Sequence, residues 1–200
     1  MKLIIATPSP FARKARIALL EKGLAHEILV QNPWQTSIAA NPLGKVPALL
    51  LDDGRVIHDS GVIVEYLETL GVPPPLLPAD PGLRVLHRQI EALADGICEA
   101  VVLVVTERAR PAEKQSADWI ARQTKKIPAA LASLETLLGG IEGFGLGPIA
   151  AGCALGYLDL RSPELDWRLA HPRLAALHES LARRPSFAAT VPKPQEIRIA

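Results

Sequence analysis

The chain has 200 residues, 48% of them hydrophobic and 22% charged, with 22 Lys and Arg set against 21 Asp and Glu for a net charge of +1. A chain this apolar and this near neutrality can bury surface, which excludes intrinsic disorder. It also lacks the clustered cations on which polyanion binding depends, so no nucleic-acid partner is expected. Aromatic residues are only 4% of the total, so the core must be aliphatic. Two cysteines, Cys98 and Cys153, cannot make a disulfide framework. The apolar run at residues 3–6 is too short for a signal-peptide core, and no stretch approaches the roughly 18 apolar residues of a membrane span. The expected compartment is the cytoplasm, with no membrane association.

In chain order, residues 2–6 form a short run rich in β-branched side chains and read as a buried strand. Residues 11–22 carry apolar positions at helical spacing, with Gly23 as a stop. Residues 26–30 read as a second strand, followed by a stretch containing Pro and Asn with room for a short helix up to Pro42. Residues 48–51 and 55–58 flank Asp52-Asp53-Gly54, a strong hairpin signal. Residues 60–70 close the unit as a helix stopped by Gly71. The pattern is an α/β unit with a mixed sheet of four strands.

Prolines 73, 74, 75, 78 and 81 follow. Proline lacks an N–H and disfavours helix at the preceding residue, so residues 72–81 read as a linker between a domain at 1–71 and one at 82–200. The second domain shows helical periods only. Leu86, Ile90, Leu93, Ile97, Val101 and Val104 make one continuous apolar stripe. A second long helix is expected over residues 112–138, kinked at Pro128, then a Gly-rich loop at 139–147 and helices at 148–160 and 172–182. This half is an all-α bundle.

The first chemical candidate is Ser9, between the first strand and the first helix. Pro10 suits the first helical position and makes Ser9 the N-cap. Ser9 either only caps, or also faces an anion at the positive end of the helix dipole. A hydrolase triad is a poor fit: prolines flank Ser9 on both sides, and no G-x-S-x-G elbow surrounds it. His26, His58, His87, His171 and His178 show no metal-ligand spacing, so no metal is expected.

Several runs together resemble the cytosolic glutathione transferases of bacterial type with a serine at the active site. They are Ser-Pro-Phe-x-Arg-Lys-x-Arg at 9–16, Asn-Pro-Leu-Gly-Lys-Val-Pro-Ala at 41–48, and Asp59-Ser60 before Val-Ile-Val-Glu-Tyr-Leu. In the second half they are Gly-Cys-Ala-Leu-Gly-Tyr-Leu-Asp-Leu-Arg at 152–161, His-Pro-Arg-Leu at 171–174 and Arg-Pro-Ser at 184–186. The resemblance implies a thioredoxin-like N-terminal domain, an all-α C-terminal domain, glutathione as co-substrate, an electrophilic small molecule as second substrate, and a homodimer. It implies that the Ser9 hydroxyl donates to the glutathione sulfur. Where thioredoxin-like redox proteins carry C-x-x-C, this chain has Ser9 to Ala12, so dithiol chemistry of its own is excluded.

A free thiol with a pKa near about 8.5 is only a few per cent ionised at pH 7, and lowering it by about two units takes about 2.7 kcal/mol. A hydrogen bond to a charged group supplies roughly 1.5–3 kcal/mol and a helix N-terminus about 0.3–1 more. No general base is required.

The resemblance further implies a cis Val46-Pro47 bond with the Val46 amide and carbonyl pairing with the cysteinyl backbone. Ser60 would take the γ-glutamyl carboxylate and Asp59 its ammonium; plain N-capping is the alternative for both. The second substrate is expected near Phe11 and the first long helix of the bundle, around Glu107, Arg108 and Arg110, whose cations would favour anionic electrophiles. The family's Ser/Thr-x-x-Asp capping box is replaced by Gly145 and Pro148, a loss on the order of 1 kcal/mol. Rival readings are a glutathione-dependent isomerase acting on a maleyl ketoacid, and a non-catalytic binding or regulatory protein that kept the fold.

Overall fold

The computed structural model describes residues 1–197. Strand β1 (Lys2–Ile5) leads into α1 (Pro10–Glu21), then β2 (Glu27–Val30), β3 (Ala48–Leu50), β4 (Val56–His58) and α2 (Ser60–Thr69). The strands form one sheet in the order β2-β1-β3-β4. Parallel β1 and β2 pair Leu3 with Ile28, which requires the α1 crossover, whereas antiparallel β3 and β4 pair Leu49 with Ile57 across the Asp-Gly turn. Gly54 sits at φ 86°, the left-handed conformation that turn demands. Residues 31–42 form turns and contain no helix, because the Asn32 and Asn41 side chains bond the local backbone instead.

Everything after the proline-rich stretch is helical: α3 (Pro81–Arg108), a 3₁₀ turn (Ala112–Lys114), α4 (Ala117–Thr124), α5 (Lys126–Leu138), α6 (Leu146–Arg161), α7 (Trp167–Ala170), α8 (Pro172–Ala182) and α9 (Pro185–Ala188). The helix expected over 112–138 is two helices and a 3₁₀ turn. Pro128 cannot donate to the carbonyl of Thr124 and its ring clashes with it, so α4 ends at Thr124. Pro128 then occupies the first turn of α5, where no donor is missed. No helix among the described residues is long and apolar enough to cross a membrane.

The proline-rich stretch is packed. The Lys22 ammonium, 1% exposed at its side chain, pairs with Glu68 at 2.8 Å and donates to the carbonyls of Val72 (2.8 Å) and Pro74 (3.2 Å). Leu76 and Leu77 enter a core made by Leu3, Ile17, Leu19, Ile63 and Leu67 together with Ile149, Leu181 and Phe187 of the helical half. The sheet and the bundle therefore share one hydrophobic interior, and a second core lies between α3, α5 and α6. On α6, Gly152 faces Phe187 and Leu181 so closely that a Cβ would lie 2.6 and 2.7 Å from them.

The missing capping box has a substitute. Gly145, the N-cap of α6, offers no side chain, yet the Nδ1 of His87 on α3 accepts the buried N–H of Gly147 at 3.1 Å. The Leu76 carbonyl takes the N–H of Leu146 at 2.8 Å. A side chain at Gly145 would meet that carbonyl at 2.7 Å and His87 at 2.8 Å, so this cap requires glycine.

Candidate active site

A cavity of about 960 Å³ opens between the sheet side and the bundle. One wall comes from the β1–α1 junction, the turn before β3 and the start of α2; the other comes from α3 and α6.

At the first junction Ser9 is the N-cap of α1, and its Oγ accepts the Ala12 N–H at 3.1 Å. This is the capping bond expected of serine, and it commits a lone pair, leaving the hydroxyl proton free to donate. Pro10 has no N–H, and the Phe11 N–H finds no acceptor among the described residues. Two donors at the positive end of a helix thus stand at the cavity wall. Capping and facing an anion are compatible here, since they use opposite sides of the same oxygen.

The Val46–Pro47 bond is cis, as is Pro73–Pro74. Pro47 is buried and Val46 half-buried on the cavity wall. No described residue bonds the Val46 amide or carbonyl, although β3 begins only two residues later. Asp59 has φ 73°, a left-handed conformation uncommon for a residue with a side chain. Its Oδ1 caps α2 by accepting from Gly61 (2.8 Å) and Val62 (3.2 Å). Ser60, 2% exposed, lines the cavity, and neither its hydroxyl nor its N–H is bonded by a described residue.

Beneath this wall, the buried Lys14 ammonium of α1 bonds Glu91 at 2.8 Å and Asp95 at 2.6 Å on α3. Burial pulls the Lys14 pKa down, but Asp95 and Glu91 outweigh it and the ammonium is held above its ordinary value. Arg88 bridges Glu91 at 2.7 Å to Glu65, which also takes Arg84. Glu91 approaches the first turn of α2, where a Cβ on Gly61 would lie 3.2 Å from its Oε1. The three helices behind the site are thereby tied into one ionic network.

Of the eight residues singled out in the sequence, Ser9, Phe11, Val46, Pro47, Asp59 and Ser60 line this cavity. Arg108 and Arg110 do not. Arg108 ends α3 and pairs with Glu164 at 3.2 Å, while Arg110 grips both oxygens of Glu107 at 3.1 Å. On this helix the residues that line the cavity are Glu99, Val102, Leu103, Val105 and Thr106. That set has helical spacing and was readable as one face. Tyr157 and Arg161 of α6 also line the cavity, and their i, i+4 spacing was the available signal.

Sequence profiles of two domains match this chain: Glutathione S-transferase, N-terminal domain, over residues 8–70, and Glutathione S-transferase, C-terminal domain, over residues 117–180. The uncharacterized GST-like protein YibF of Escherichia coli K12 is 43% identical over 201 residues, covering 96% of this chain and 98% of its own. The chain belongs to the glutathione S-transferase family. A crystal structure of a glutathione S-transferase from Methylobacterium radiotolerans, in complex with glutathione sulfonate, superposes with a TM-score of 0.95 at 48% identity, covering 100% of this chain and 98% of that one. A maleylacetoacetate isomerase of Pseudomonas aeruginosa is 33% identical over 151 residues, covering 70% of each chain. The fold is the family's: a thioredoxin-like domain with a mixed four-stranded sheet, then an all-helical domain.

Proposed function

We propose that this transferase-family protein binds glutathione across the sheet-side wall and ionises its thiol for attack on an electrophilic small molecule. The observation that carries this reading is the Ser9 hydroxyl, whose oxygen is fixed by the Ala12 N–H at 3.1 Å while its proton remains available beside the Phe11 N–H, which no described residue accepts. A thiolate placed there accepts from Ser9 and takes the favourable end of the α1 dipole. Ser9 stays a neutral donor throughout.

In this reading the Val46 N–H and C=O, bonded by no described residue, hold the cysteinyl backbone as an added strand. Ser60 gives its hydroxyl and N–H to the γ-glutamyl carboxylate at the N-terminus of α2. Asp59 caps α2 through Oδ1 and presents its carboxylate to the ligand ammonium. The glutathione sulfonate complex of the Methylobacterium relative supports glutathione as the ligand. The protein acts in the cytoplasm on reactive electrophiles, a detoxifying role, with no cofactor beyond glutathione and no metal. It works as a homodimer, whose contact would use the exposed Val62 of α2 and Val85 of α3.

The test is conjugation of glutathione to 1-chloro-2,4-dinitrobenzene. Wild type is expected to turn over, and Ser9→Ala to lose most turnover while keeping retention on immobilised glutathione. A wild type that is not retained at all would favour a non-catalytic protein with this fold. The isomerase relative supports a second reading, since the same thiolate can add to a cis-enone and be expelled from the trans product. Product analysis with a cis-enone diacid separates the two: isomerisation regenerates glutathione, and conjugation consumes it.

A further inference from the structure

Among the described residues, Lys45 and Arg161 bring cations to the cavity, and they differ in kind. Lys45 is exposed at the mouth. Arg161, the last residue of α6, is half-buried, and its Nε is fully buried with no hydrogen-bond partner among the described residues.

The protein directs its nearby carboxylates elsewhere. Asp159 accepts two bonds from Arg168 at 2.7 Å and one from the Trp167 indole at 3.0 Å. Glu164 pairs with Arg108. Glu99 faces the cavity from α3, but it is exposed and forms no ion pair with Arg161.

One helical turn before Arg161, Tyr157 also lines the cavity, 5% exposed and hydrogen-bonded to Arg161. Burial raises the tyrosine pKa against the pull of Arg161, so the phenol stays a donor at neutral pH. Phe11, Val102, Leu103 and Val105 supply apolar surface on this side, with Thr106 and the exposed Glu99 as its other polar groups. A guanidinium with no ion pair among the described residues, a phenol one turn away and apolar side chains beside them suit a carboxylate on an apolar body.

We propose that Arg161, assisted by Tyr157, receives a carboxylate on the electrophile, so that the second substrate is an anionic acceptor with a small apolar or aryl body. This rests on the thiol-activation reading above and assigns the substrate class of the same cavity.

The test uses two matched conjugates, prepared by displacing chloride with glutathione from 4-chloro-3-nitrobenzoate and from its carboxamide. In each, the C–S bond forms, the C–Cl bond breaks, chloride leaves with the bonding pair and the thiol proton passes to buffer. Calorimetry then compares the two conjugates and glutathione itself on wild type, Arg161→Gln, Arg161→Lys and Tyr157→Phe. Wild type is expected to bind the carboxylate conjugate about tenfold or more tightly than the carboxamide, the effect of one charge-assisted hydrogen bond. Arg161→Gln should bring the ratio to within about twofold, with Arg161→Lys and Tyr157→Phe intermediate. Equal affinity for both conjugates in wild type overturns the assignment, and so does a preference that survives in Arg161→Gln. Either result alongside intact glutathione binding leaves the thiol reading standing. Failure of wild type to bind glutathione removes that reading and this one together.

Discussion

Replacing His87 tests how a helix that lacks its own cap is held in the core. The Gly147 N–H is buried, and its acceptor is the His87 Nδ1 at 3.1 Å, so the ring must be neutral with its proton on Nε2. His87→Phe keeps a ring but removes the acceptor, and an unsatisfied buried donor costs about 1–3 kcal/mol. For a chain of this length that is a fall of roughly 2–4 °C in Tm per kcal/mol. His87→Asn offers an amide oxygen in place of Nδ1 and should stay closer to wild type at pH 8.

Acid sensitivity separates the variants further. Burial depresses the His87 pKa below its ordinary value of 6.5. A depressed folded-state pKa means that, below about 6.5, the unfolded chain takes up a proton that the native state refuses. Stability from this group is therefore complete above that pH and declines as pH falls, by at most about 1.4 kcal/mol per pH unit. His178 is also depressed by burial and adds a slope of the same sign, so the informative quantity is wild type minus His87→Asn. Urea denaturation between pH 8 and 5 measures it, and carboxylates common to both proteins, such as the buried Asp95 whose pKa burial raises, cancel in the difference. The difference should be small at pH 8 and should move against wild type as pH drops. A difference that is constant across this range, or a His87→Phe as stable as wild type at pH 8, refutes the trans-capping argument.

Three other expectations can be checked alongside. Gly152→Ala forces a Cβ to within 2.6 Å of Phe187 and should cost about 1–3 kcal/mol by overpacking, read as a lower urea midpoint. Lys14→Met strands Glu91 and Asp95 without their buried cation and should destabilise by about 3–5 kcal/mol; a stability equal to wild type would mean that the network contributes nothing. Asp59→Asn keeps a capping oxygen and removes the charge, so Tm should hold while glutathione affinity falls by about tenfold, the scale of one charge-assisted hydrogen bond. An unchanged glutathione affinity with Tm held would show that Asp59 only caps.

Local chemistry made the sheet half legible. The Asp-Gly turn, the proline at the first position of α1 and the Asp-Ser start of α2 each carry their signal within a few residues. The sheet-side wall of the cavity came with them, because its residues sit at element termini. The helical half was less legible where long-range partners decide. The break between α4 and α5 lies at Thr124 and not at Pro128, because proline acts on the carbonyl four residues earlier. The start of α6 depends on His87, far away in sequence, which no capping pattern near Gly145 could indicate. The cations around Arg108 drew attention by composition, but Glu164 and Glu107 already satisfy them. Arg161 stands out only once its neighbours are seen to be bonded elsewhere.

The most direct measurement is the ultraviolet titration of glutathione bound to wild type and to Ser9→Ala, following thiolate absorbance against pH. Wild type should show the sulfur ionising about two pH units below the free thiol, matching the roughly 2.7 kcal/mol available from one charged hydrogen bond and a helix terminus. In Ser9→Ala most of that shift should vanish, with glutathione still bound within a few-fold. An unchanged thiolate titration in Ser9→Ala would contradict the account and reduce Ser9 to the cap of α1.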